Sequence, residues 1–186
     1  MTGAPETDLV AIRAAVPSDA TAIAGVHVAS WRSAYAGILP NHSLTGLSIP
    51  RQAGYYGRLI GDGQIVRVAE ARSGAPVSGL VVGFVTARRI SRAVAAEGEI
   101  ETLYVLDDWR ERGIGRRLIQ SAGAALKAAG CRSAFVWVLS ENPNRWFYER
   151  LGGVRMMEGQ VGVGGVAQPQ TAYRWDPIEI LAEAQA

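Results

Sequence analysis

A single α/β domain of the α+β kind is predicted for this chain, its elements following in the order β-α-(α)-β-β-β-α-β-α-β-β. Three observations lead there. The chain has 186 residues, the length of one domain with a sizeable core. Hydrophobic residues make up 48% and charged residues 19%, a globular balance and not a disordered one. The stretch from Glu99 to Gly130 reads as a strand, a glycine turn and a helix in succession.

The elements follow in order. Residues 1–8 read as a loose terminus, 9–177 as the domain and 178–186 as a weakly helical, frayed tail. Leu9 to Ala14 is a short strand, and Pro17-Ser18-Asp19 is a helix-start cluster. In the helix that follows, Ile23, Val26, Ser30 and Ala34 repeat at helical spacing. Ala24, Val28, Trp31 and Tyr35 form a second stripe beside them. Gly37 and Pro40 end that helix, and residues 41–63 predict one or two small helices. Gln64 to Ala71 and Val77 to Arg89 read as strands joined at Ser73-Gly-Ala-Pro76. Arg132 to Leu139, apolar on both faces, reads as a central strand. Asn142 and Pro143 form an N-cap and first helical position, and Gly152-Gly153 closes that helix. Val154 to Glu158 and Gln170 to Trp175 predict a final antiparallel pair around a glycine-rich loop, Gly159 to Gly165. An edge strand at 170–175 would support a homodimer.

Composition narrows the partners. A formal charge of +2 is too small for a committed nucleic-acid binder, and no apolar run is long enough to span a membrane. The first residues lack the basic and apolar regions of a secretory signal. One cysteine leaves no internal disulfide framework, so a cytoplasmic location is expected.

The chemistry concentrates between residues 99 and 130. Ile100, Thr102, Leu103, Tyr104 and Val105 favour a strand, with Glu99 and Glu101 alternating among them. Asp107-Asp108 breaks it. Arg110-Glu111-Arg112-Gly113-Ile114-Gly115-Arg116 then leads into a helix carrying Leu118, Ala122, Ala125, Leu126 and Ala129 on one side, with Gly130 at its stop. A glycine turn before a helix N-terminus is an anion site, because the first N–H groups lack partners and the dipole end is positive. Arg110, Arg112, Arg116 and Arg117 add charge, so the turn is expected to hold a pyrophosphate. It is not a P-loop, which needs Gly-Lys-Ser/Thr where Gly115-Arg116-Arg117 stands. It is not a dinucleotide fingerprint either, since Leu118 occupies the place of the third glycine.

What the stretch resembles is motif A of the GNAT superfamily of acetyl-CoA-dependent N-acetyltransferases. Its Gln/Arg-x-x-Gly-x-Gly/Ala signature is matched by Arg110, Gly113 and Gly115. Asn142-Pro-x-Arg-x-Phe-Tyr148-Glu-x-Leu-Gly152 resembles motif B, and the segment from Val26 to Pro40 resembles a branch with Trp-x-x-x-Tyr-x-Gly in its first helix. The resemblance covers about residues 9–176. It implies a GNAT-like domain with a mixed, mostly antiparallel central sheet of six to seven strands flanked by helices. It further implies acetyl-CoA as cosubstrate, bound by residues 110–116, Asn142 and the main chain of Leu103, Tyr104 and Val105, where the strand splays from its neighbour.

Acetyl transfer to an amine then needs a base. An alkylammonium of pKa about 10.4 costs roughly 4–5 kcal/mol to deprotonate at neutral pH. Glu99, eleven positions before Arg110, matches a catalytic glutamate of several family members. Glu101 is a second candidate base or amine anchor, and two close carboxylates raise one another's pKa. The plainer reading makes either one an arginine partner or a solvated strand residue. Tyr148 is the candidate acid or hydrogen-bond donor for the leaving thiolate, against a packing role. Asn142 either touches the pantetheine arm or only caps, and Trp31 and Tyr35 either wall the acceptor site or form core. His27 and His42 have no ligand at metal spacing, and Cys131 reads as buried and inert, so no metal is assigned. The function expected is an N-acetyltransferase acting on a small-molecule or peptide amine by direct attack. The alternative is a non-catalytic acyl-CoA-binding module of the same fold. With Glu97, Glu99 and Glu101 gathered near the cleft, a cationic acceptor is expected.

Overall fold

The computed structural model describes residues 9–36, 44–72, 77–90, 96–142, 145–163 and 165–183. Its strands are β1 (Val10–Ala14), β2 (Ile65–Ala71), β3 (Val81–Arg89), β4 (Gly98–Val105), β5 (Ala134–Leu139), β6 (Val154–Val163) and β7 (Val166–Trp175). The helices are α1 (Ala20–Ala34), α2 (Ile49–Gly61), α3 (Ile114–Ala128), α4 (Trp146–Arg150) and α5 (Glu179–Ala182). One seven-stranded sheet has the order β1-β2-β3-β4-β5-β7-β6. Every neighbouring pair is antiparallel except β4 and β5, which run parallel, so the sheet is mixed and mostly antiparallel.

The sheet is covered on both faces. On one, Ile114, Leu118, Ile119, Ala122 and Leu126 of α3 are buried against β2, β3 and β4. Each of the isoleucine and leucine side chains among them contributes about 1.5–3 kcal/mol of burial. Gly83 permits the close approach, since a Cβ there would sit 2.9 Å from the Tyr104 carbonyl oxygen and 3.2 Å from Leu118. On the other face Ile23, Ala24 and Val26 of α1, with Tyr56 of α2, pack on Val66, Val68 and Phe84.

Two irregularities position the site. Pairing between β4 and β5 covers only Gly98–Ile100 against Ala134–Val136, while β4 continues with β3 as far as Val105. The two strands therefore part from Glu101 onward. In the same place a bulge interrupts the β3–β4 ladder. Thr86 faces Thr102 and Ala87 faces Ile100, which leaves Glu101 as the extra residue on β4. A bulge re-aims the side chain it frees and breaks strict alternation.

Several expectations change. Gly159 to Gly165 is not a loop: β6 and β7 continue to Val163 and from Val166, turning at Gly165 (φ 82°). Gly159 lies under Trp137, where a Cβ would come within 3.1 Å of the ring, so this glycine serves packing within a strand. The strand at 170–175 is not an edge, because β7 lies between β5 and β6; the edge on that side is β6. The expected frayed tail begins instead with core residues, Ile178 and Leu181, which pack α5 on α3 at Gly123. Residues 49–61 form one helix, and the strand expected from Val77 starts at Val81. Gly37, Pro40, His42, the turn at 73–76 and Pro143 lie outside the described residues. The helix expected to begin at Pro143 is described from Trp146.

Candidate active site

The turn after β4 is built for an anion. Glu111 (φ 62°) and Gly113 (φ 72°) are both left-handed, curling the chain so that α3 starts with Gly113 as its cap and no side chain bonding its first N–H groups. Arg117 N–H bonds back to Gly113, so the helical ladder starts there and the N–H groups of Ile114, Gly115 and Arg116 lie at the helix N-terminus. They face a cavity of about 560 Å³ lined by Leu103, Tyr104, Val105, Arg110, Glu111, Gly113, Ile114, Gly115, Arg116, Asn142 and Tyr148. Arg110 is held by Asp107 at 2.8 Å and lies near the Val105 carbonyl. Of the turn residues expected to bind the coenzyme, Arg112 alone does not line this cavity; its guanidinium lies over Trp109, 5.4 Å from the ring centre.

A second cavity, of about 250 Å³, opens where β4 and β5 part. Trp31 and Tyr35 of α1, Glu101 of β4, Trp137 of β5 and Val161 and Val163 of β6 all line it. Tyr35, Leu103, Tyr104, Asn142 and Tyr148 line both cavities, so the two meet at these residues. Around the junction Trp31 Nε1 donates to the Tyr104 hydroxyl at 2.7 Å, and Asn142 Nδ2 donates to the Tyr35 hydroxyl at 3.4 Å. Tyr148 stacks on Tyr173 with ring centres 6.0 Å apart and meets Phe147 and Trp175 edge-on. Burial first, and the nearby Tyr35 second, push the Tyr148 phenol above its ordinary pKa, so it stays protonated. Ser30 lines the larger cavity, and its buried hydroxyl has no hydrogen-bond partner among the described residues.

The three glutamates have different surroundings. Glu97 is bound to Arg132, through both its backbone N–H at 2.7 Å and its guanidinium at 2.8 Å, and lines neither cavity. Glu97 is thus no part of the acid cluster expected near the cleft. Glu99 also lines neither cavity; Arg88 holds it at 2.8 Å. Glu101 lines the smaller one, with Arg88 Nε at 3.1 Å. Burial raises the Glu101 pKa, Arg88 opposes this and Glu99 adds to it.

His27 is buried, 2.6 Å from the Tyr56 hydroxyl and stacked on Trp31; burial lowers its pKa to about 4, so it is neutral near pH 7. Cys131 is buried, its thiol toward the Glu97 carbonyl. Among the described residues no group of three His, Cys, Asp or Glu side chains could hold a metal, and no helix is long and apolar enough to cross a membrane.

Several lining residues were missing from the sequence reading. Phe147 lines the larger cavity and would contact a Cβ on Gly115 at 3.5 Å. Val161 and Val163 were hidden by reading the glycine-rich hairpin as a loop, and Gln170 was placed on a strand without a site role. The alternation Val161-Gly-Val163 was the available strand signal.

The site is thus framed by a sheet splayed at its one parallel pair, with a glycine turn and a helix N-terminus beside the gap. The profile described as "Acetyltransferase (GNAT) domain" matches residues 62–152. The chain is 29% identical over 174 residues to the uncharacterized N-acetyltransferase YuaI of Bacillus subtilis (strain 168), spanning 93% of this chain and 96% of that protein. Its fold is similar to a GCN5-related N-acetyltransferase of Rhodopseudomonas palustris, with a TM-score of 0.68 and 24% identity over 89% of this chain and 94% of the other. It is also similar to the PaiA N-acetyltransferase of Thermoplasma acidophilum, solved with coenzyme A, with a TM-score of 0.65 and 18% identity over 90% and 98%. The chain is thus similar to N-acetyltransferases of the GNAT superfamily, by the domain match over residues 62–152 and by its likeness along most of its length to a bacterial N-acetyltransferase, and this likeness supports an acyltransferase.

Proposed function

We propose that this enzyme moves an acetyl group from acetyl-CoA to a primary amine by direct attack of the amine nitrogen on the thioester carbonyl, with no acyl-enzyme. The observation that carries this reading is the meeting of two cavities at Tyr35, Leu103, Tyr104, Asn142 and Tyr148, one ending on the α3 N-terminus and the other on Glu101. The N–H groups of Ile114, Gly115 and Arg116 bind the pyrophosphate, with Arg110 and Arg116 adding charge. The β4 main chain at Leu103, Tyr104 and Val105, unpaired with β5, binds the pantetheine arm, and a main-chain N–H there receives the carbonyl oxygen.

Glu101, not Glu99, is the base in this reading, directly or through water. It lies in the acceptor cavity, and Arg88 limits the rise in pKa that burial imposes. Glu99 acts on it from behind through the shared Arg88. As the C–N bond forms, Glu101 takes the ammonium proton. As the C–S bond breaks, the Tyr148 hydroxyl hydrogen-bonds the departing thiolate; its raised pKa favours donating a hydrogen bond over losing the proton. The single buried cysteine supports placing the reaction in the cytoplasm.

Thiol release from acetyl-CoA, followed with a panel of primary amines, tests the reading. Amine-dependent release is expected, together with no acetylated protein after incubation with acetyl-CoA alone. Binding of coenzyme A without release by any amine would leave the enzyme reading wrong for this site.

A further inference from the structure

We infer that the acceptor is a small monoamine with an apolar body, ring-sized or branched-alkyl, carrying neither a carboxylate nor a second ammonium group. This rests on the acetyl-transfer reading above and names the substrate class of the same site.

Charge is the first constraint. Glu101 is the one charged side chain lining the smaller cavity among the described residues; Thr102, Gln170, Asn142, Tyr35 and Tyr148 supply its neutral polar groups. One carboxylate matches one ammonium. A second ammonium buried there would find no counter-charge among the described residues. A carboxylate would find no cation in the wall, because Arg88 stands behind Glu101, committed to Glu99 and Glu101. An unmatched buried charge is among the strongest grounds for rejection a pocket can have.

The wall and the volume set the body. Trp31, Tyr104 and Trp137 present rings, and Val138, Leu139 and Val161 present aliphatic surface. The rings are held in place: Trp31 is fixed by its bond to the Tyr104 hydroxyl and by stacking on His27. Trp137 is fixed edge-on against Phe135 and under Gly159. Fixed aromatic faces beside a single carboxylate favour an ammonium on an apolar stem. At about 30 Å³ for each water displaced, a cavity of about 250 Å³ takes on the order of eight non-hydrogen atoms. That is room for one ring or a branched chain with its amine.

The test compares matched pairs by thiol release with saturating acetyl-CoA. Phenethylamine against phenylalanine isolates the carboxylate. Hexylamine against hexamethylenediamine isolates the second charge, and a tripeptide amide represents peptide amines. Phenethylamine and hexylamine are expected to exceed their charged partners in kcat/KM by at least about 100-fold. The Trp137→Ala variant is expected to lower kcat/KM for phenethylamine by about tenfold or more, leaving coenzyme A affinity unchanged. Phenylalanine, hexamethylenediamine or the tripeptide reacting as fast as the apolar monoamines would overturn the inference while leaving acetyl transfer intact. Thiol release with none of them, despite coenzyme A binding by calorimetry, would overturn both.

Discussion

The two cavities differ in how the chain makes them. The larger is assembled mostly from one continuous run, Leu103 to Arg116, joined by Phe147 and Tyr148. The smaller takes its wall from α1, β4, β5, β6 and β7, elements separated by more than a hundred positions. The first recognises by main-chain groups and helix polarity, which need only a local turn. The second recognises by side chains whose meeting depends on strand register and on where β4 leaves β5. One is fixed by local conformation and the other by tertiary arrangement, and substitutions should separate them.

The largest effect belongs to the helix-end cavity. Gly113→Asp should weaken coenzyme A binding by at least about 100-fold, because a negative side chain enters the space in front of the N–H groups at the helix N-terminus. No protein atom stands within 4 Å of a Cβ at Gly113, so the loss would come from the ligand's space and not from a clash within the fold. The left-handed backbone costs a non-glycine residue about 1–2 kcal/mol, a modest fall in melting temperature. Titration calorimetry alongside thermal unfolding checks this; wild-type affinity would remove the pyrophosphate assignment.

Next come the carboxylates, where the comparison is sharpest. Glu101→Gln should lower turnover about 100-fold near neutral pH, and Glu99→Gln only about threefold. The sign with pH follows from the base working only when deprotonated. Its pKa is raised by burial, so the wild-type rate should climb with pH through a value above that of an ordinary glutamate. The Glu101→Gln deficit should shrink at high pH, where the amine has already lost its proton. An Arg88→Gln variant should move that ascending limb further up, since it removes the cation that opposes the shift. Equal losses for the two glutamates would blur the boundary drawn between cavity and ion pair. Tyr148→Phe should cost less than Glu101→Gln, roughly tenfold to thirtyfold in kcat with little change in coenzyme affinity, the scale of one hydrogen bond to a charged group.

These contrasts also explain what could be read beforehand. Arg110, Gly113 and Gly115 announce the helix-end site because a tight turn and a helix start are consequences of a few adjacent residues. Strand segments along the chain were legible from runs such as Arg132 to Leu139 for the same reason, whereas the place of β7 inside the sheet was not. Glu101 against Glu99 was not, because choosing between them requires the bulge opposite Thr86 and Ala87, a property of two paired strands. The hairpin at 159–165 was misread because glycine is both a turn former and the residue that lets Trp137 lie against a strand. Only the second use operates at Gly159.

The smallest expected effect probes the part of the acceptor cavity least visible in the sequence. Val161 and Val163 lie on the outer half of the β6–β7 hairpin, past the last β5–β7 pair at Leu139 and Gln170. Val163 packs toward the cluster of Tyr35 and Leu44 and so ties the hairpin to the α1 side. Val161 lines the cavity without belonging to that cluster, so shortening it should change the acceptor's contacts while leaving the tie in place. Val161→Ala removes two methyl groups' worth of apolar contact from one wall. If the acceptor's body rests there, KM for the amine should rise about threefold to tenfold, with kcat and coenzyme A affinity nearly unchanged. A change in KM alone is the mark of contact made equally in the ground and transition states, as expected for a wall remote from the reacting atoms. If coenzyme affinity fell with it, the two cavities would not be energetically separable. If neither moved, the acceptor would be held by α1 and β4 alone, and the hairpin would serve only to exclude water.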